Sequence, residues 1–183
     1  VASRWYSIQD LGWNDVDFRT LNPSYVVSGT VTDGTNPIPD VTITFSHDGG
    51  SVVTDASGQY SYTVPYGTTT TLIPTHSGYS NWSPVVYVIE NVTSDQPNQD
   101  FMATANGYII SGVVTDGSNP INGAALTFSH DGSVVYSNVS GAYSTTVPYG
   151  TTTSITPSAA GYSSWSPPSR TITDISSNQT GQN

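Results

Sequence analysis

The sequence of this 183-residue chain predicts an all-β fold made of two tandem β-sandwiches. Short apolar stretches alternate with Ser and Thr, which is the period expected of half-buried strands. Turn dipeptides such as Asp33-Gly34 separate these stretches, and no stretch has helical periodicity of useful length. The chain also repeats with a period of 83 residues, the interval between Gly29 and Gly112, and about half of the aligned positions are identical.

Each copy is predicted to contain seven short strands with Greek-key connections. In the first copy the predicted strands span residues 25–32, 41–45, 51–54, 60–64, 69–73, 85–90 and 100–104. Turn chemistry separates them: Asp48-Gly49-Gly50 follows the second strand, and Pro65 and Gly67 end the fourth. The second copy reaches only the counterpart of Asp100, so its last strand is expected to be missing.

The N-terminal residues resemble the end of a preceding repeat. Residues 6–11 are similar to residues 87–92 and 170–175. Asp17-Phe18-Arg19-Thr20 precedes Asp100-Phe101-Met102-Ala103 by one period, so it matches the seventh strand. We therefore divide the chain into an N-terminal extension (1–24), a first sandwich (25–107) and an incomplete second sandwich (108–183). The extension carries a candidate donor strand, and residues 105–107 link the two sandwiches.

Composition excludes several classes of function. The net charge of -10, with only three Arg and no Lys, excludes nucleic acid as a partner. Without Cys, neither disulfides nor thiolate metal sites can form. Membrane insertion is not expected, because no run of 18 apolar residues occurs. An acidic, Ser/Thr-rich chain that begins at Val1 is expected to be an extracellular or cell-surface protein, either processed or cut from a longer one.

The motifs in residues 28–33, 37–45 and 54–60, repeated one period later, resemble the carboxypeptidase regulatory-like domains of bacterial or archaeal surface proteins. This resemblance implies transthyretin-like or immunoglobulin-like sandwiches that serve as stalks, spacers or adhesive arrays, with structural motif residues. The fold is also similar to that of collagen-adhesin B-type domains, whose Lys–Asn isopeptide crosslink cannot form in a chain without Lys.

Two His-Asp pairs, His47-Asp48 and His130-Asp131, occupy the same turn in both copies. They are interpreted as turn residues, since two side chains of one hairpin do not make a metal or acid–base site. Four further residues near Gly are expected to cap turns through their side-chain oxygens: Asp33, Asp55, Asp116 and Asn138. A weak calcium site is the alternative for these carboxylates. No catalytic residue, metal ligand or cofactor is predicted, and an enzyme is not expected.

The aromatic residues allow two interpretations. Trp82 and Trp165, beside Tyr79 and Tyr162, are expected to pack within each repeat, and a sugar-binding platform is the alternative. Four sequons mark candidate glycosylation sites, which are Asn81, Asn91, Asn138 and Asn178.

These observations lead to a strand-exchange hypothesis. A sandwich without an edge strand exposes unpaired backbone groups and its core, and a neighbour's strand can fill the gap. The expected donor-strand residues are Val16, Phe18, Arg19 and Thr20. The expected packing residues at the same interface are Trp5, Tyr6, Ile8, Leu11 and Trp13. The chain is then the subunit of an extracellular, pilus-like filament assembled head-to-tail from copies of itself.

Glycans or other surface proteins are further candidate partners of such a filament. The alternative hypothesis is a stalk or spacer fragment of a larger multi-repeat adhesin or secreted enzyme. In that case the missing strand would follow Asn183. A monomeric carbohydrate-binding module is a third hypothesis, and it requires an exposed aromatic platform.

Overall fold

The computed structural model describes residues 23–183. The predicted all-β class is confirmed, and no helix occurs within this range. Among the described residues there is consequently no helix that could cross a membrane.

The first sandwich consists of two four-stranded sheets around one core. Its strands are β1 (Ser24–Thr32), β2 (Thr42–Phe45), β3 (Ser51–Val53), β4 (Gln59–Pro65), β5 (Thr70–Thr75), β6 (Tyr79–Ser83), β7 (Tyr87–Ile89) and β8 (Phe101–Ala105). One sheet has the order β4-β1-β8-β6 and the other β3-β2-β5-β7. β8 is parallel to β1 and antiparallel to β6, so it lies between the two.

The second sandwich repeats this plan with fewer strands. They are β9 (Gly107–Val113), β10 (Ala125–Phe128), β11 (Val134–Tyr136), β12 (Ala142–Pro148), β13 (Thr153–Ser158) and β14 (Arg170–Ile172). One sheet has the order β11-β10-β13-β14, and the other contains β12 and β9. Its core is built around the buried ring of Phe128, the counterpart of Phe45.

Alternation of side chains explains why these segments form strands. In β4, Tyr60 and Val64 are buried while the residues between them are exposed or partly exposed. In β2, Ile43 and Phe45 are fully buried, and the two Thr residues of the strand face outward. Burying an aliphatic or Phe side chain contributes about 1.5–3 kcal/mol, so one face of each strand stabilises the sandwich.

Two sequence predictions about the first sandwich were wrong in detail. It has eight strands rather than seven, because Tyr79–Ser83 forms an additional strand. This strand is rich in polar residues and pairs with β8 through a bulge, so its own sequence carries no alternating pattern. The linker is shorter than expected, since β8 ends at Ala105 and β9 begins at Gly107, leaving only Asn106 between them.

Candidate functional site

In the first sandwich, the inward-facing side chain of Phe101 on β8 closes the core. Phe101 is 2% exposed, and its ring lies 5.1 Å from that of Tyr87 in an edge-to-face arrangement. The ring of Tyr60 lies 6.5 Å away. Pairing of Phe101 with Val31 sets the register of the strand. Phe101 therefore fills the gap between the two sheets at the end of β1.

In the second sandwich, no segment of residues 23–183 takes the position of β8. A cavity of about 290 Å³ is open there, which we call the strand groove. Its wall includes the side chains of Val114, Leu126, Tyr143, Ile155, Trp165 and Arg170. Each of them stands one period after a residue of the first sandwich, respectively Val31, Ile43, Tyr60, Leu72, Trp82 and Tyr87. The strand groove thus corresponds to the place that Phe101 fills in the first copy.

The strand groove exposes the second core. Val114 is 8% exposed, whereas its counterpart Val31 is 0% exposed. Leu126 and Ile155 also retain slight exposure, although both of their counterparts are fully covered. Part of the apolar wall therefore remains in contact with water until something fills the cavity.

The strand groove differs chemically from the Phe101 site of the first sandwich, because Arg170 stands at the position that corresponds to Tyr87. Its guanidinium donates hydrogen bonds to Gln182 Oε1 at 3.3 Å and to the carbonyl oxygen of Asn183 at 3.1 Å. Burial raises the pKa of Tyr143 on the opposite wall, and the charge of Arg170 opposes that shift. An aromatic side chain in the groove would meet a cation, a contact that contributes about 0.5–2 kcal/mol.

The chain approaches the two sites along the same path. In the first sandwich, Asp100 Oδ1 accepts a hydrogen bond from the Thr30 N–H at 2.7 Å. In the second, Asn183 Oδ1 accepts one from the Val113 N–H at 2.8 Å. Asn183 therefore occupies the register position of Asp100, and the next position along the sheet is that of Phe101.

The segment that corresponds to β6 also differs. Residues 162–166 have no strand pairing, although they include the counterparts of every residue of β6. In the first sandwich β6 pairs with β8 at Tyr79↔Ala105 and Ser80↔Thr104. We infer that the β6 conformation depends on the presence of β8, because the partner strand supplies its hydrogen bonds.

The candidate donor strand belongs to residues 1–22. Its predicted residues, Val16, Phe18, Arg19 and Thr20, lie outside the described residues, as do the predicted packing residues Trp5, Tyr6, Ile8, Leu11 and Trp13. Within the described range, Trp82 and Trp165 pack against the first and second cores, and Trp165 lines the strand groove. Arg170 was not identified from the sequence as a groove residue. The sequence signal that could have identified it is the replacement of Tyr87 by Arg at the corresponding position of the second copy.

The two His-Asp pairs lie at turns, with each imidazole Nε2 3.4 Å from the adjacent carboxylate. His47 Nδ1 lies 3.0 Å from Thr70 Oγ1, and His130 Nδ1 lies 3.1 Å from Thr153 Oγ1. Each His therefore bridges the turn to the neighbouring strand. Among residues 23–183 there is no group of three or more His, Asp or Glu side chains that could hold a metal ion.

The expected turn caps are present in the structure. Asp55 Oδ1 accepts hydrogen bonds from the N–H groups of Ser57 and Gln59, at 2.8 and 3.0 Å. The hydrogen bond from the Gln59 N–H is the main reason that the pKa of Asp55 is lowered. Asn138 makes the same pair of contacts in the second copy, at 2.9 and 3.0 Å. Asp33 and Asp116 cap their turns in a similar way, and the pKa of each is lowered mainly by an amide hydrogen bond.

The four candidate glycosylation residues, Asn81, Asn91, Asn138 and Asn178, are all exposed. Asn178 Oδ1 accepts a hydrogen bond from the Ile109 N–H at 2.8 Å, so this side chain also tethers the chain to β9.

A second feature that the sequence did not predict is the junction between the sandwiches. The ring of Tyr149 covers Gly78 so closely that a Cβ atom there would lie 2.4 Å from the ring. The rings of His76 and Tyr79 flank it at 5.5 and 5.7 Å. The main chain of Asn106 joins both sandwiches, since its N–H donates to Gly78 O and its carbonyl accepts from the Tyr149 N–H, each at 2.8 Å.

These features define a tandem all-β protein whose second sandwich has an open edge. No protein-family model matches the chain. It is 38% identical over 111 residues to Chitinase ChiA of Flavobacterium johnsoniae. The aligned region covers 58% of this chain and 7% of that enzyme.

Among solved structures, the Bacillus anthracis TIE protein superimposes with a TM-score of 0.57 at 17% identity, over 86% of this chain and 32% of that one. This likeness supports the fold alone. The shaft pilin SpaA of Lactobacillus rhamnosus GG is more distant, with a TM-score of 0.41 at 12% identity, over 86% of this chain and 96% of the pilin.

Proposed function

We propose that this chain is the structural subunit of an extracellular filament in which the N-terminal segment of one copy fills the strand groove of the next. The observation that carries the proposal is the match between the groove and the site of Phe101. The chain itself contains a second sequence of the β8 type, at residues 17–20, which lies one period before β8. Donor-strand complementation would pair this sequence with β9 of a neighbouring copy.

The repeat fixes the register of the proposed donor. Phe18 aligns with Phe101 and Thr20 aligns with Ala103, and both of these β8 residues face the core. Arg19 aligns with Met102, which is 49% exposed, so the guanidinium would point to solvent. Because Asn183 already holds the position of Asp100, Phe18 is the first residue of the donor that the groove would take.

Such a contact is head-to-tail, because the donor belongs to one end of the sequence and the groove to the other. Heterologous contacts of this kind produce open filaments unless the geometry closes a ring. The low charged content of 9% suits close contact between copies, since few charges would need to be desolvated.

The experiment compares the full chain with two point variants at adjacent donor positions. Negative-stain electron microscopy of the full chain is expected to show filaments. Phe18→Lys places an ammonium group beside the Arg170 guanidinium in the groove and is expected to abolish them, because a buried charge next to a like charge is strongly destabilising. Arg19→Ala is the matched control, and it is expected to leave filaments intact. A variant that lacks residues 1–21 is expected to behave as Phe18→Lys does.

A peptide spanning residues 12–22 tests the same contact without filaments. Added to the Phe18→Lys protein, the peptide is expected to raise the melting temperature of the second sandwich. The peptide that carries Phe18→Lys is expected to have no such effect. If the full chain stays monomeric and the peptide has no effect, donor-strand complementation is rejected.

A second candidate function is a spacer within a larger surface protein or secreted enzyme. The similarity to ChiA favours it, because it extends over a short part of a much longer enzyme. Residues following Asn183 would then fill the groove in the same chain. A monomeric full chain whose groove is filled when the natural sequence is extended beyond Asn183 would support this alternative. In neither case would the described sandwiches themselves be the catalytic part.

We further propose that the division into an extension and two sandwiches, at residues 1–24, 25–107 and 108–183, describes the functional parts. The resemblance to carboxypeptidase regulatory-like domains supports a role at the cell surface for either function.

A further inference from the structure

We propose that copies of this chain meet through a tyrosine contact that repeats the internal junction, with Tyr66 of one copy over Gly161 of the preceding copy. This inference rests on the filament proposed above and deepens it. In the internal junction, Tyr149 of the second sandwich covers Gly78 of the first. Tyr66 is the counterpart of Tyr149, and Gly161 is the counterpart of Gly78.

The entering half of this contact is already formed at the beginning of the first sandwich. The rings of Tyr25 and Tyr66 lie 6.4 Å apart at an angle of 51°. Their counterparts at the internal junction, Tyr108 and Tyr149, lie 6.3 Å apart at the same angle of 51°. The N–H of Tyr66 donates to the carbonyl of Pro23 at 2.7 Å, as that of Tyr149 donates to Asn106. Tyr66 is nevertheless 51% exposed, so this aromatic pair has no partner sandwich of its own within residues 23–183.

The receiving half is present but open. Tyr162, the counterpart of Tyr79, is 41% exposed. The space above Gly161 is empty, because a Cβ atom added there would have no heavy atom within 4 Å. Gly161 has a φ of +86°, whereas Gly78 lies outside the left-handed region. The strand that positions Tyr79 is β6, which pairs with β8. Donor-strand insertion would therefore also convert residues 162–166 into a strand and turn Gly161 toward the incoming ring.

The length of the connection supports a single occupant. One residue, Asn106, joins β8 to β9, and its counterpart Pro23 would join the proposed donor strand to β1. In the internal junction, the short connection from β8 to β9 holds the second sandwich against the first. A donor strand bound in the groove in the position of β8 would in the same way hold β1 of the donor copy against the second sandwich of the receiving copy. The occupant of the surface formed by Gly161 and Tyr162 is thus the first sandwich of the copy that supplies the strand.

The intermolecular contact would be weaker than the internal one. The Asn106 N–H and side chain donate to the carbonyl oxygens of Gly78 and Ser77, at 2.8 and 3.0 Å. Pro23 has no N–H and no side-chain donor, so neither bond has a counterpart. Ala159 stands in place of His76, and one of the rings around the tyrosine is absent.

Disulfide trapping tests the contact directly, because the chain contains no Cys. An equimolar mixture of the full chain with Tyr66→Cys and the full chain with Tyr162→Cys is oxidised, and covalent dimers are measured on a denaturing gel. A single chain with Tyr79→Cys and Tyr149→Cys is the positive control, and its intramolecular disulfide is measured by the loss of free thiol on oxidation. Tyr136→Cys mixed with Tyr162→Cys is the matched negative control, since Tyr136 is 66% exposed and lies on β11.

We expect the 66/162 mixture to crosslink at least about tenfold faster than the negative control, and a Tyr66→Ala chain to need about tenfold more protein to form filaments. Crosslinking at the control rate while the unaltered chain forms filaments would overturn the tyrosine contact and leave donor-strand assembly standing. Fast crosslinking without filaments would support the contact and reject open filament assembly, since head-to-tail contacts can also close into rings. Control-rate crosslinking without filaments would reject both.

A gain-of-function variant adds an independent readout. Ala159→His supplies the ring that His76 provides at the internal junction, where it lies 5.5 Å from Tyr149. This variant is expected to form filaments at a concentration severalfold lower than the unaltered chain. No change in that concentration, or an increase, would count against the contact.

Discussion

Removing the ring that closes the first sandwich should reproduce there the open state of the second. Phe101→Ala deletes a side chain that is 2% exposed and contacts the rings of Tyr60 and Tyr87. Buried Phe→Ala substitutions cost about 3–5 kcal/mol, since they lose the transfer energy and leave a cavity. For a domain of this size each kcal/mol lowers the melting temperature by about 4–8 °C. The first sandwich should therefore melt at least about 12 °C lower.

The assay must report on the first sandwich alone. Trp82 packs against the first core, so its fluorescence can follow thermal and urea unfolding in a chain whose other three Trp residues are changed to Phe. Met102→Ala is the control on the same strand, because Met102 is 49% exposed and its loss should cost less than about 1 kcal/mol. Equal losses of stability in Phe101→Ala and Met102→Ala would refute the role of Phe101 as the residue that closes the core.

Three further predictions concern turns and buried polar groups of the first sandwich. Asp55→Asn should fold normally, because Asn138 makes the same hydrogen bonds in the second copy. Folding lowers the pKa of Asp55 from its ordinary value of 3.8, so the ionised carboxylate stabilises the fold at pH values above 3.8. This contribution disappears as the pH falls through the lower pKa of the folded state. Asp55→Asn should therefore flatten the acid limb of a stability–pH curve measured by urea unfolding.

Gly58→Ala should cost more than Gly49→Ala in the same assay. Both Gly residues have a φ of +71°, but only at Gly58 would a Cβ lie 2.4 Å from a carbonyl oxygen, that of Val31. Thr54→Val should cost about 1–3 kcal/mol, because the buried hydroxyl accepts from the Val41 N–H and donates to Ile38 O, both at 2.9 Å. An unchanged acid limb, equal costs at the two Gly positions, or a neutral Thr54→Val would each contradict the corresponding argument.

The fold class could be predicted because period-two alternation and turn residues are local signals. Tyr60 and Val64 are buried as their spacing in the sequence predicts. The strand Tyr79–Ser83 could not be predicted, because its conformation depends on pairing with residues 19 to 26 positions later. Its counterpart in the second copy has a similar sequence and no strand pairing, which shows that context rather than composition decides its structure.

The candidate site was predictable in part for the same reason. The phase of the repeat indicated that a strand position is empty in the second copy, and the groove lies at that position. The residues Tyr149 and Gly78 belong to motifs that recur in both copies, so the sequence marked them as important without showing that they touch. Contacts between two sandwiches depend on their relative orientation, and no short-range pattern encodes that orientation.

The parallel pairing of β1 with β8 also determines how the first sandwich would respond to mechanical force. The chain enters the sandwich at the start of β1 and leaves it at the end of β8, and the two strands pair directly at Val31↔Phe101 and Thr32↔Met102. Tension applied along the chain would slide these neighbours past each other, so their hydrogen bonds would bear load together instead of opening one at a time. Resistance to stretching would then be governed by an unfolding rate. In the second sandwich, the strand that fills the groove would have to supply the load-bearing partner of β9. The resistance of that sandwich to tension would then equal the strength with which this strand is bound.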